Sequence, residues 1–221
     1  MRLIDYISGR DRYLNFPWMA TAGLRLCGCT LYDVYLSPQK QLEIALRMDQ
    51  EFDADFTYPM DDGVIFVDTL GLPLLKPDFD FPSVLENPVK SIPDLELLHV
   101  LNPYTDGRMP LHLEALELIA SRIDKPLALS VQGPFTLAVE LVGATDFVRA
   151  IIRNPDFVEK VLDFTTRVVG EYVRATVNMG TKFLCICEPT AVILSPARFE
   201  KMVAGNLREI YNSLGPDVWK V

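Results

Sequence analysis

The sequence predicts an α/β fold on a parallel sheet, the first arc of a (β/α)8 TIM barrel. Three observations predict it. Apolar segments of strand length alternate with amphipathic segments of helix length, as in βαβ units. The connections between them are mostly short, which suits right-handed crossovers. Helix starts are marked by a capping residue followed by proline, at Ser37-Pro38, Asn154-Pro155 and Ser195-Pro196. The pattern supplies about five strands, near residues 15–20, 54–60, 126–132, 182–187 and 217–221, where a closed barrel needs eight.

The elements follow in order. Asn15 to Ala20 reads as the first strand. The helix from Ser37-Pro38 carries Leu42, Ala45, Leu46 and Met48 on one side ahead of Phe52. Asp53 to Pro59 reads as a short second strand. Residues 71–110 hold seven prolines (Pro73, Pro77, Pro82, Pro88, Pro93, Pro103 and Pro110) and little helical period. They predict an excursion with at most short strands, long enough for a compact domain to suggest a functional role. Leu111 to Ile123 is an amphipathic helix, and Pro126 to Val131 a short buried strand. Asn154-Pro155 opens the longest helix, with a stripe of Phe157, Val161, Phe164, Val168 and Tyr172 running to about Met179, before Gly180. Lys182 to Cys187 is the next strand, Ser195-Pro196 opens a helix through about Leu214, and Asp217 begins a fifth strand. Residues 1–221 are expected to form the N-terminal part of a single barrel domain, with an incomplete barrel's sheet edges exposed.

Composition narrows the function classes. The chain is 49% hydrophobic and 23% charged with a net charge of −9, and it has no Lys/Arg-rich run. Nucleic acid and anionic membrane are therefore poor partners. No apolar run approaches the roughly 20 residues of a membrane span, and the N-terminus has no signal-peptide pattern. A cytoplasmic protein is expected. The four cysteines form two Cys-x-Cys pairs, Cys27/Cys29 and Cys185/Cys187. They read either as small buried apolar residues or as two pairs converging on one metal.

Polar residues at the C-terminal ends of parallel strands are the first candidates for chemistry. Asp61 and Asp62 follow the second strand, although Asp-Asp-Gly is also plain turn chemistry. Gln132 and Gly133 follow the third, and the Gly133-Pro134 turn would present backbone N–H groups to an anion or serve only as a turn. Glu188 follows the fourth. A carboxylate there is either partly desolvated, and so tuned for acid–base work or a cation, or solvated on the rim. Arg108, after Asp106-Gly107, either clamps a carboxylate or is a solvated arginine near a helix start. His99 and His112 have no second ligand at metal spacing and read as structural.

These residues carry a resemblance. Gly133-Pro134-Phe135-Thr136-Leu137-Ala138 resembles the Gly-Pro-[Phe/Trp]-Thr-Leu signature of the uroporphyrinogen decarboxylase superfamily. Asp62 with Leu70-Gly71, the Asp106-Gly107-Arg108 turn, and Glu188-Pro189 followed by Leu194-Ser195-Pro196 are similar to it in the same order. The resemblance runs from about residue 15 to the end and implies a (β/α)8 barrel.

The superfamily has two branches. Its decarboxylases are cofactor-free and hold an acidic tetrapyrrole with arginines of a Met-Arg-Gln-Ala-Gly-Arg segment, an aspartate after the second strand and a tyrosine in the Gly-Pro helix. Here the segment reads Met19-Ala20-Thr21-Ala22-Gly23-Leu24, with Arg25 adjacent, and Glu140 stands at the tyrosine position. Of these groups Asp62 is kept. Losing two cations and gaining a carboxylate disfavours a polycarboxylate substrate. The other branch transfers methyl groups from methylcobamide on corrinoid proteins to coenzyme M or related thiols. The Asp106-Gly107-Arg108 turn and the Gly-Pro-Phe-Thr-Leu-Ala form are more similar to it.

The resemblance thus implies a methyltransferase. Asp62 and Glu188 are its catalytic candidates, and Met19, Arg108, Gln132 and Gly133 its substrate-binding ones. A corrinoid protein or small molecule is the expected partner, and homodimer formation is a further option. Zinc in that branch is held by a His-x-Cys after the fifth strand and a later cysteine. No His-x-Cys occurs in this chain, so zinc is expected only in a full-length homologue, and no cofactor if the chain is a decarboxylase. A tetrapyrrole decarboxylase and a non-catalytic corrinoid- or partner-binding chain are the alternatives.

Overall fold

Two apolar strands with opposite faces of different character organise the molecule. The computed structural model describes residues 2–16 and 21–221. Strand assignments on residues 17–20, and the candidate Met19, lie outside the described residues.

The first half is mostly helical. α1 (Leu3–Ser8), α2 (Ala22–Cys27) and α3 (Leu31–Tyr35) are short, and α4 (Pro38–Glu51) is the predicted amphipathic helix. The Ser37 side chain caps α4, accepting from the Lys40 N–H. α5 (Ile65–Thr69) follows, and then the excursion. The excursion contains an antiparallel pair, β1 (Leu74–Leu75) and β2 (Ser83–Val84), and the short helix α6 (Ile92–Glu96). α7 (Met109–Arg122) starts two residues before the sequence suggests.

The second half alternates as predicted. β3 (Leu127–Gln132) leads through Gly133 into α8 (Pro134–Val142), then α9 (Ala144–Arg153) and the long α10 (Pro155–Asn178), whose Asn154 cap accepts from Phe157 N–H. β4 (Thr181–Cys187), a 3-10 turn at Pro189–Ile193, α11 (Pro196–Phe199), a π-turn at Glu200–Ala204, α12 (Gly205–Ser213) and β5 (Trp219–Lys220) complete the chain. The single helix expected over 195–214 is therefore interrupted by the π-turn.

β3, β4 and β5 form a parallel sheet in that order. Alternation assigns its two faces. Leu127, Leu129, Val131, Leu184 and Ile186 join the main core beneath the helices. The opposite face carries Ala128, Ser130 and Gln132 on β3 and Phe183, Cys185 and Cys187 on β4. At its N-terminal end Phe56, Ala128 and Trp219 are buried together, with Tyr6 of α1, Phe16 and Phe183 packed on them. Tyr6 and Trp219 ring centroids lie 4.9 Å apart.

The strand expected over 54–60 is a correction. It makes one parallel bridge, Thr57 to Leu127, through Thr57 N–H to Pro126 O and Ala128 N–H to Thr57 O. Asp55 N–H also donates to Asn15 O at 2.8 Å. The segment keeps its place beside β3, but Pro59 has no N–H with which to extend the ladder. Among the described residues the fold is mixed α/β with small sheets, and no closed barrel is formed. No described helix is long and apolar enough to cross a membrane.

Candidate active site

The C-terminal end of the sheet gathers two clusters of polar side chains. The first is built around Arg108. Gly107 has φ +52°, and a Cβ there would sit 2.8 Å from Thr69, so the Asp-Gly-Arg turn requires glycine. That turn aims Arg108 inward. Its Nη2 donates to Asp62 Oδ1 at 2.8 Å, Nη1 donates to Asp62 Oδ2, and Nε donates to Asp68 Oδ2 at 2.6 Å. Both partners of the Asp62 pair are buried, with side chains 3% and 6% exposed. Lys76 donates to the other Asp68 oxygen at 3.0 Å. Arg108 lies 4.5 Å over the Tyr35 ring, and the Tyr35 hydroxyl donates to the Asp61 carbonyl at 2.7 Å.

Burial alone would raise the Asp68 carboxyl and lower the Arg108 guanidinium. The ion pairs outweigh it, holding Asp68 below and Arg108 above their ordinary values. Arg108 is thus not the solvated arginine of the bland reading. The carboxylates it clamps are the chain's own.

Behind this cluster His112 is fully buried, with Nδ1 hydrogen-bonded to the Tyr172 hydroxyl. Desolvation pushes the imidazole down to about 4, so the ring is neutral at pH 7. His99 is exposed and bonds Asp106 at 2.9 Å. Each histidine thus has a partner within the chain, Asp106 for His99 and Tyr172 for His112.

The second cluster joins β3, β4 and α8. Glu188 turns back onto the start of α8. It accepts from Phe135 N–H at 2.8 Å, Thr136 N–H at 2.7 Å and the Thr136 hydroxyl at 2.7 Å. The anion expected at this helix N-terminus is Glu188 itself. Gly133 permits the approach, since a Cβ there would lie 2.3 Å from Glu188 Cδ. Burial raises the Glu188 carboxyl, and the three donors only partly oppose it. Glu188 is therefore not a solvated rim carboxylate.

Gln132 pairs in register with Cys187, and its side chain acts on the Glu140 carboxyl of α8. Burial lifts the Glu140 carboxyl to about 7, against the opposing effect of Gln132. Gln132 Oε1 and Glu140 Oε2 are buried without a protein partner. Cys187 Sγ lies 3.6 Å from Cys185 Sγ and 3.3 Å from Ser130 Oγ. The Cys185 thiol donates toward Cys187, which lowers the Cys187 thiol and raises that of Cys185.

Asp61 and Glu188 both act electrostatically on Cys187, which links the clusters. The structure therefore brings Asp62 to Arg108 and Gly133 to Glu188, with Gln132 opposite Cys187 on the neighbouring strand. Cys27 and Cys29 lie apart, on and after α2, where burial raises both thiols. The two cysteine pairs do not converge on one metal. Among the described residues no group of three His, Cys, Asp or Glu could hold an ion. The zinc set implied by the resemblance is not formed by these residues.

Sequence reasoning missed Asp68, Lys76 and Tyr35 as partners of Arg108, because nothing in their spacing predicts the excursion folding back on α5. It also missed Ser130. The alternation that places Ser130 and Gln132 with Cys185 and Cys187 was available once β3 and β4 were paired.

The family model described as Uroporphyrinogen decarboxylase (URO-D) matches residues 19–218. A uroporphyrinogen decarboxylase of Geobacter metallireducens is 27% identical over 194 residues, 84% of this chain and 56% of that protein. The methylcobamide:CoM methyltransferase MtaA of Methanosarcina barkeri is 29% identical over 112 residues, 49% of this chain and 33% of that protein. A solved methyltransferase from Methanosarcina mazei superposes with TM-score 0.80 at 23% identity, covering 88% of this chain and 59% of that one. The chain spans between a third and just over half of the length of these curated relatives. With a match over nearly its whole length, the chain belongs to the uroporphyrinogen decarboxylase family.

Proposed function

We propose that the chain serves methyl transfer from a methylated corrinoid, free or on a partner protein, to a thiol acceptor. The observation that carries this reading is the charge of the mouth. Its arginine, Arg108, is bound to Asp62 and Asp68, while Glu188 and Glu140 face the β3–β4 end. A tetracarboxylate would meet the Glu188 carboxylate, with Arg108 already engaged by Asp62 and Asp68. A corrinoid is rimmed by carboxamides, which carry no such penalty. Glu140, protonated near neutrality, offers an O–H to an amide carbonyl, and Gln132 Oε1 accepts from an amide N–H. Both atoms are buried without a protein partner. In this role Glu188 fixes the end of β4 to α8, and Asp62 holds Arg108 in place. With a corrinoid bound, the acceptor thiol would lose its proton to solvent, the methyl group would pass to the thiolate as a cation equivalent, and the bond's electron pair would stay on cobalt as Co(I).

A second reading, tetrapyrrole decarboxylation, is favoured by relatives of that name aligned over 84% of the chain and by the retained Asp62. Spectroscopic titration of the chain with methylcobalamin, with and without a thiol acceptor, separates the readings. Saturable binding and thiol-dependent demethylation are expected, both weakened by Gln132→Ala. Metal-free turnover of uroporphyrinogen with no corrinoid binding would overturn the proposal. Binding without demethylation would instead favour a non-catalytic corrinoid-binding role.

A further inference from the structure

Cys185 and Cys187 occupy alternate positions of β4 and so project from one face of the sheet. Both are half-buried, within reach of solvent, and both are free thiols. Their sulfurs are 3.6 Å apart. With metal–sulfur bonds of about 2.3 Å, that separation subtends roughly 100° at a shared ion, close to the tetrahedral angle.

We propose that Cys185 and Cys187 form a bidentate dithiolate site for a thiophilic d10 metal ion of the zinc or cadmium class. Soft sulfur ligands select such ions. Ser130 on the neighbouring strand, 3.3 Å from Cys187 Sγ, orients that sulfur. Asp61 and Glu188 place negative potential on the same side. No third His, Cys, Asp or Glu joins the pair among the described residues. The remaining coordination positions therefore belong to water or an exogenous ligand, which makes the site open and exchangeable. Binding forms two metal–sulfur bonds and breaks two S–H bonds, so one ion displaces up to two protons to solvent. Disulfide formation suits the pair less well. Alternate strand positions are about 6.6 Å apart along the strand, at the far edge of what a disulfide spans. Chelation needs no backbone movement. The site stands whichever reaction the chain performs.

The test is titration of the metal-free full chain with cadmium chloride, read by thiolate-to-cadmium charge-transfer absorption. One ion per chain is expected. The band should be lost in Cys185→Ser and in Cys187→Ser and retained in the Cys27→Ser/Cys29→Ser double variant, with circular dichroism verifying the fold of each. Ser130→Ala should weaken binding by about tenfold. The unmutated protein gives an independent reading. Cadmium should protect Cys185 and Cys187 from alkylation, mapped by mass spectrometry, and leave the labelling of Cys27 and Cys29 unchanged, Cys29 being buried. A band that survives loss of either β4 cysteine, protection confined to Cys27 and Cys29, or no binding would overturn the proposal.

Discussion

At the scale of single residues, Gly133 and Glu188 explain each other. The Glu188 carboxylate fills the space a side chain at 133 would need, and it takes two backbone N–H groups and one hydroxyl at the start of α8. A Gly133→Ala substitution must push that carboxylate away and leave buried donors unpaired, at about 1–3 kcal/mol. Glu188→Gln keeps the shape but weakens the charge-assisted bonds. Because both variants act on one contact, their effects in urea unfolding should be strongly non-additive, with Gly133→Ala costing much less in the Glu188→Gln background. Independent, additive effects would show that the glycine serves only the turn. The candidate residues Gly133 and Glu188 were legible in the sequence because both stand at ends of apolar strands. Their contact was not, because 55 positions separate them and only the β3–β4 register brings them together.

At the scale of elements, the excursion over 71–110 is tied to α5 by charge. Lys76 from β1's flank and Arg108 at its end both bind Asp68, and Arg108 also binds Asp62. Truncating Arg108 to Met leaves Asp62 buried without its cation. Breaking one partner of such a pair costs about 3–5 kcal/mol. The expected readout is loss of stability together with faster proteolysis or hydrogen exchange across 71–110. Adding Asp62→Asn to Arg108→Met should recover much of the stability, since the uncompensated charge is then gone. No recovery would mean that Arg108 acts through its packing on Tyr35 instead. The long elements were legible for local reasons. α4 and α10 carry caps and apolar stripes, and β3 and β4 are uniformly apolar on one face. The segment 54–60 has the composition of a strand, yet its pairing depends on partners far along the chain and stops at Pro59.

At the scale of the whole molecule, the sequence showed the α/β alternation and the main core but not the balance of buried ionisable groups, which only the packed fold creates. His112 and Glu140 pull stability in opposite directions with pH. His112 is held neutral, its ordinary value of 6.5 lowered to about 4 by burial. The unfolded chain takes up its proton first, so stability falls by up to about 3 kcal/mol as pH drops from 6.5 to 4. Glu140 is held protonated, its ordinary 4.5 raised to about 7 by burial. Here the folded chain keeps the proton, so stability falls by a similar amount as pH rises from 4.5 to 7. Between pH 4.5 and 6.5 the two slopes oppose each other. Asp55 and Asp68 are lowered from 3.8 and act below this window. Glu188, raised by burial, contributes equally to parent and variant. Replacing Glu140 with Gln removes one slope and leaves the other. Urea midpoints of Glu140→Gln should therefore climb with pH relative to the parent, with the gap widening toward neutrality. Midpoint curves that run parallel for parent and variant would show that the Glu140 carboxyl is ionised in the folded chain and takes no part in this balance.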